Sequence, residues 1–131
     1  MAVGLNPVIA NQILDSLFSA AAFTPPAASY IQLHTGDPGA NGTANVSSYT
    51  TRTAITWAAA SGGSKSISAP VTITASWSGT NNEVLTHVSY WSAAAAGTFV
   101  TSDQLIAAVT MVTGAPLNLP TLTAPMSPIA A

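Results

Sequence analysis

Acid–base chemistry in this sequence depends on two histidines and four carboxylates. His34 and Asp37 lie close together in the run His-Thr-Gly-Asp-Pro-Gly, as a metal site or a proton-transfer pair would require. Two ligands in one turn make a weak metal site without a third, and His87 is distant in sequence. The same residue types suit a tight turn, in which aspartate caps backbone N–H groups, proline fixes φ and glycines adopt positive φ. We therefore predict a structural turn made of His34, Gly36, Asp37, Pro38 and Gly39.

No catalytic motif accompanies these groups. His87 alternates with apolar residues in Thr-His-Val-Ser-Tyr-Trp, a pattern that predicts a partly buried strand histidine. The sequence contains neither a Gly-x-Ser-x-Gly nucleophile elbow nor a Gly-x-x-x-x-Gly-Lys phosphate loop. We expect a protein that is not an enzyme, with no catalytic residues, no metal site and no cofactor.

Two further features remain open to a binding or a structural interpretation. Aromatic rings can stack on sugars, but single aromatics at strand positions more often pack in the core. Arg52 is one of only two cations, and we expect it to pair with a carboxylate such as Asp37 and pin the long loop to the sheet. The aromatic residues concerned are Tyr30, Tyr49, Trp57, Trp77, Tyr90 and Trp91.

Composition excludes several classes of protein. Of 131 residues, 48% are hydrophobic and only 5% charged, against about a quarter charged in ordinary domains. Two Lys and Arg residues in total cannot form a nucleic-acid interface or a polybasic membrane patch. Because the first residues carry no basic stretch, we expect no cleaved signal peptide and a protein that is kept or assembled inside the cell that makes it, in its cytoplasm. A surface so poor in charge favours self-association.

The positions of the expected elements follow from periodicity and from turn-forming residues. Asn6 and Pro7 begin an apolar stripe at helical spacing, which predicts a helix over 6–20. From residue 30, period-two patterns separated by polar turns predict a single domain (1–131) that contains an antiparallel β-sandwich, jelly-roll-like, over 30–116. The expected strands cover residues 30–34, 53–57, 66–77 with an interruption at Pro70, 85–91, 98–105 and 107–112.

The proline-rich stretch 117–131 predicts an extended C-terminal arm. Its apolar side chains need cover, and we expect the arm to dock along its own sheet edge or, by preference, across a neighbouring subunit. The candidate assembly residues are Leu117, Leu119, Leu122 and Ile129.

Two stretches resemble one known family. They are YIQLHTGDPGANGTANVSSYTTRTAITW (30–57) and THVSYWSAAAAGTFVTSDQL (86–105). This pattern, with Leu-His-Thr-Gly-Asp-Pro-Gly as its most specific part, is similar to that of small tailed-bacteriophage virion proteins labelled tail fibre or minor tail protein; similar small β-proteins serve as capsid decoration. The chain departs from the family in having Tyr49-Thr50-Thr51-Arg52 in place of a tighter Tyr-x-Arg, and in its proline-rich ending.

The resemblance implies a non-enzymatic structural protein of the virion, a homo-oligomer such as a trimer that contacts major capsid or tail proteins. Because 131 residues without repeats cannot build a fibre shaft, we prefer a capsid decoration or minor capsid protein on the head. A tail fibre or minor tail protein is the first alternative, and a carbohydrate- or receptor-binding module is the second. We expect no nucleic acid and no membrane among its partners.

Overall fold

A computed structural model of the chain describes residues 3–125. Within this range the fold is mainly β, with antiparallel strands and one short helix. The strands form one four-stranded sheet in the order β2-β1-β5-β6 and two small sheets, β3-β8 and β4-β7. The elements are α1 (Pro7–Ser19), β1 (Tyr30–His34), β2 (Thr53–Ala54), β3 (Ser64–Ser66), β4 (Val71–Thr74), β5 (Glu83–Trp91), β6 (Phe99–Met111), β7 (Leu117–Leu119) and β8 (Thr123–Pro125).

Helix α1 begins and ends with recognisable caps. The side chain of Asn6 accepts a hydrogen bond from the N–H of Val8 at 2.9 Å, and a proline follows the cap. Ala20 ends the helix in the left-handed region with φ 51°. Ile9 is its one buried residue, so the apolar stripe of the helix is mostly exposed. Within residues 3–125 no helix is long and apolar enough to span a membrane.

The four-stranded sheet is buried on both faces where β1 and β5 pair. On the inner face Ile31 lies opposite Tyr90, and Leu33 lies opposite Val88. These residues join the hydrophobic core with Ile73 and Leu117 of the β4-β7 sheet and with Ile67 and Leu122 next to the β3-β8 sheet, which makes the arrangement sandwich-like. The outer face is also enclosed, but it carries histidines, serines and Gln32.

Strand β6 contains a bulge. The sequence pattern had predicted two separate strands, with a break at this position. Leu85 pairs with Val109, whereas His87 pairs with Gln104, so β6 has extra residues opposite Thr86. Ile106 lies in this bulge and is 99% exposed. The bulge turns part of an edge strand away from its ladder.

The segment expected to form an arm is, as far as residue 125, part of the domain itself. β7 pairs with β4 and β8 pairs with β3, and Leu117, Leu119 and Leu122 are buried in the core. From the sequence, the arm was expected to dock along its own sheet edge or, by preference, across a neighbouring subunit. In the structure these three leucines pack within their own domain, which is the first of these positions. The reason is that prolines flank these short ladders instead of interrupting them. Ile129 lies outside the described residues.

Candidate functional site

The outer face of the main sheet brings together the polar residues that sequence analysis had singled out. His34 is the last residue of β1 and is completely buried. Its Nδ1 lies 2.8 Å from the carbonyl oxygen of Ala44, and its Nε2 lies 2.7 Å from Ser89 Oγ. A carbonyl can only accept, so Nδ1 carries the proton and Nε2 accepts from the serine hydroxyl. The indole N–H of Trp91 donates to the same Ser89 Oγ at 2.8 Å.

This chain of hydrogen bonds fixes the tautomer of the neutral imidazole, with the proton on Nδ1. Burial is the main cause that lowers the pKa of His34 below its ordinary value; the bond to Ala44 opposes this effect, and the neighbouring His87 adds to it. His87 lies directly opposite His34 across the β1–β5 pair. Its Nδ1 is 2.7 Å from Thr86 Oγ1, and its buried Nε2 has no hydrogen-bond partner among the described residues.

The loop after His34 folds as a turn stabilised by its own side chains. Asp37 Oδ1 accepts from the N–H of Gly39 at 2.8 Å, and Gly39 has φ 72°. Pro38 is buried. Gly36, which was expected to need a positive φ, does not adopt one; instead a Cβ there would lie 3.1 Å from the side-chain nitrogen of Asn45. Close packing, and not an unusual backbone conformation, explains this glycine.

Glu83 anchors the far end of the loop, a role that sequence reasoning missed. Its carboxylate accepts hydrogen bonds from Ser47 Oγ at 2.8 Å, Ser48 Oγ at 2.9 Å and the N–H of Ser48 at 3.0 Å. Glu83 begins β5, so the loop is fixed to the sheet by a carboxylate and not by a cation. An acidic residue at a strand start, with two adjacent serines elsewhere in the chain, is too common a pattern to have identified it.

Arg52 pins a different loop from the one expected. Its guanidinium lies 3.6 Å from the centroid of the Trp91 ring and donates to the carbonyl oxygens of Ala93 and Ala96 in the β5–β6 turn. Arg52 precedes β2, which pairs with the first residues of β1, whereas Asp37 follows the last one. The two ends of β1 separate them. Partial burial lowers the pKa of Arg52, which stays charged at neutral pH.

Gly42 allows the long loop to lie against this aromatic cluster. It has φ 70°, and a Cβ at this position would collide with the ring of Phe99. The Phe99 ring in turn packs on Trp91, with centroids 5.5 Å apart. The long loop, the Trp91–Phe99 pair and Arg52 thus form one continuous layer at the outer face of the main sheet.

The aromatic residues proposed for sugar stacking are engaged in packing. Trp77 and Tyr90 are almost completely buried. Tyr49 stacks on Trp77 with centroids 5.5 Å apart, and Trp57 contacts Tyr90 with centroids 5.6 Å apart. Tyr30, Tyr49 and Trp57 remain partly exposed.

Exposed apolar side chains lie elsewhere, and the helix α1 carries several of them. Leu14, Leu17 and Phe18 are all exposed, Phe18 to 82%. They are spaced three and four residues apart and so share one side of the helix. We call these three residues the helix face.

The arrangement holds the loop after β1 against the sheet. Ser89 and His34 are hydrogen bonded as in a catalytic dyad, but both are fully buried. Within residues 3–125 no group of three or more His, Cys, Asp or Glu side chains could hold a metal ion. His34 and Asp37 are brought into one structural unit, and Arg52 adjoins this unit through Trp91. Leu117, Leu119 and Leu122 lie apart from it in the hydrophobic core.

Comparison with known proteins places the chain in a family. No curated protein matches it. A family model described as "Podophage GP4 fiber I protein gp80" matches residues 4–124. This match supports the expected relation to phage fibre proteins. It does not show that the Leu-His-Thr-Gly-Asp-Pro-Gly motif is a feature of that family. The match extends over almost all of the sequence, and the chain therefore belongs to the podophage GP4 fiber I protein gp80 family.

Proposed function

We propose that this protein is a non-enzymatic structural component of a phage fibre, which takes its place in the virion as several identical copies. The observation that carries the proposal is the family match over residues 4–124. Because the match includes the helix and nearly every strand, it concerns the whole domain and not one motif.

The buried outer face supports a structural role. Its histidine, serine and tryptophan groups bond to one another and to backbone carbonyls. Polar networks of this kind stabilise one particular loop conformation. A protein that must present a fixed surface to neighbouring subunits benefits from such rigidity.

The family description favours the fibre over the head position that the sequence argument had preferred. That argument rested on the absence of repeats, which excludes a shaft but not a small domain within a fibre assembly. A domain of this size can connect a fibre to its neighbours without forming a shaft itself. Capsid decoration is therefore the competing outcome of the experiment described below.

The helix face is the surface that we assign to self-association. Asp15 is the only charged residue of α1, so identical copies would meet here with little electrostatic repulsion. Burying a leucine or phenylalanine side chain contributes about 1.5 to 3 kcal/mol. A short helix gains most of its stability from packing, and packing against the same helix of other copies would provide it.

Localisation in the virion tests the proposal. The protein would be labelled with gold through an added tag in intact particles and counted by quantitative mass spectrometry against the major capsid protein. We expect label confined to the tail and a copy number far below that of the capsid protein. Label distributed over the head in numbers comparable to the capsid protein would instead establish a decoration protein.

A further inference from the structure

A cavity of about 540 Å³ lies between residues 3–5, strand β6 and the small β3-β8 sheet. Most of the residues that line it are small or apolar, and Tyr90 of β5 belongs to the lining. Ala60 and Lys65, which also line it, are exposed, so the cavity opens to solvent. Its volume lies within the range of about 300 to 1,000 Å³ that is usual for small-molecule sites.

One buried polar group of the lining has no partner. Tyr90 is fully buried, and its hydroxyl makes no hydrogen bond among the described residues. Buried polar groups in native proteins are nearly always hydrogen bonded. Burial, and then the nearby carboxylate of Asp103, raise the pKa of Tyr90, so the phenol keeps its proton and can donate it to an acceptor.

Lys65 and Asp103 bring opposite charges to the lining, and each already has a hydrogen-bond partner. Lys65 Nζ donates to the carbonyl oxygen of Ala58 at 2.7 Å, and Asp103 Oδ1 accepts from the N–H of Gln104 at 2.8 Å. A ligand with a net charge would meet one attracting and one repelling group and would lose hydration. The lining therefore favours an uncharged, mainly apolar molecule, and Tyr90 favours one that brings a hydrogen-bond acceptor.

We propose that this cavity binds an uncharged, mainly apolar small molecule, such as a ketone, ether or ester, whose oxygen atom accepts the hydrogen bond of the Tyr90 hydroxyl. Water is a weaker match, because an ordered water needs about two to four polar partners and this lining is mostly small or apolar. Binding here involves this domain alone and does not depend on the place of the protein in the virion.

Two probes of the same shape test the hydrogen bond. Benzophenone has a carbonyl group between two phenyl rings, and diphenylmethane has a methylene group in the same place. Equilibrium dialysis of each probe against the parent protein and against Tyr90→Phe gives the dissociation constants. We expect Tyr90→Phe to weaken the binding of benzophenone about threefold to tenfold and to leave that of diphenylmethane unchanged, because the variant removes only the hydroxyl.

The Tyr90→Phe variant is expected to fold. It keeps the ring that contacts Trp57 and removes a hydroxyl without a partner, so its Tm should not fall below that of the parent. A lower Tm would show that the hydroxyl is already satisfied within the protein and would overturn the proposal.

Two further variants show whether the probes occupy the cavity. Ala60→Trp puts a large side chain on the cavity wall, and Ala95→Trp puts the same side chain in the β5–β6 turn, away from the lining. Both alanines are exposed, so both variants should fold, which circular dichroism would check. We expect Ala60→Trp to reduce the binding of both probes and Ala95→Trp to leave it unchanged.

Three results of these measurements would overturn the proposal. The first is that neither probe binds the parent protein. The second is that Tyr90→Phe binds benzophenone as tightly as the parent does, or loses affinity for both probes equally. The third is that Ala60→Trp and Ala95→Trp bind the probes alike.

Discussion

Ser89 and His34 are joined across the β1–β5 pair by a hydrogen bond of 2.7 Å that is completely shielded from solvent. The bond connects the end of β1, from which the long loop departs, to the C-terminal part of β5. Loop and sheet are therefore expected to lose their order together when this bond is removed.

Substituting either partner tests this relationship. His34→Ala leaves the buried Ser89 hydroxyl without an acceptor for its proton, and a buried donor left unpaired costs about 1 to 3 kcal/mol. The substitution also removes the packing of the buried imidazole ring. We expect the free energy of unfolding, measured with urea, to fall by at least about 2 kcal/mol. In a double-mutant cycle with Ser89→Ala, a coupling energy near 1 kcal/mol is expected; strictly additive effects would show that the bond contributes nothing.

The stability of the protein is expected to decrease in mildly acidic solution. The pKa of His34 is lowered on folding from its ordinary value of 6.5, so the folded chain resists a proton that the unfolded chain takes up. Stability is then complete above pH 6.5 and declines as the pH falls below it, by at most about 1.4 kcal/mol per pH unit for one group. Thermal melts between pH 8 and pH 5 measure the effect. A His34→Gln variant that folds should show a smaller decline over this interval, and an unchanged pH profile in that variant would contradict the assignment to His34.

Gly42 is expected to tolerate no side chain. Gly42→Ala combines φ 70° with a collision against Phe99, and the backbone strain alone costs about 1 to 3 kcal/mol. Gly62→Ala is the control, because Gly62 has φ 58° but nothing within 4 Å of an added Cβ. Urea denaturation should show a clearly larger loss at Gly42, and equal losses would mean that the loop simply moves away from the Phe99 ring.

The helix face is expected to hold the copies together. Leu17→Gln/Phe18→Gln should convert the protein from an oligomer to a monomer in sedimentation experiments, because it removes two large apolar contacts. Val8→Gln replaces an exposed apolar residue on the opposite side of α1 from Leu17, given about 100° per residue, and should leave the oligomer intact. Since hydrophobic contact is the expected driving force, about 1 M salt, where the Debye length is about 3 Å, should not dissociate the parent protein. A parent protein that sediments as a monomer would remove the basis of this assignment.

Short sequence patterns were sufficient to predict the elements whose conformation depends on neighbouring residues. The Asn6-Pro7 cap predicted the start of α1, and the alternation in Tyr30–His34 predicted β1. The turn around Asp37 followed from the known conformational preferences of its residues. In these places the structure is decided within a few neighbouring positions.

Other features depend on contacts between distant parts of the chain. The partners of Arg52 are backbone carbonyls of residues 93 and 96. Because every residue has a backbone carbonyl, the residue types do not indicate which carbonyls accept these hydrogen bonds. The anchoring role of Glu83 depends on serines that the fold alone brings to it. The pairing of β7 with β4 and of β8 with β3 was hidden because proline-flanked strands of three residues look like an extended arm.

The way in which residues 4–6 and 117–125 are built into the domain also bears on how the protein is made. Asn6 donates its N–H to the carbonyl of Val100, and residues 117–125 supply the partners of β3 and β4. Pairings between such distant residues form slowly, and here they cannot be completed until synthesis has passed residue 125. Chains interrupted earlier during translation would lack an essential part of the core. The topology thus acts as a check on completeness, because only a chain translated through residue 125 can fold into a subunit that is able to join the virion.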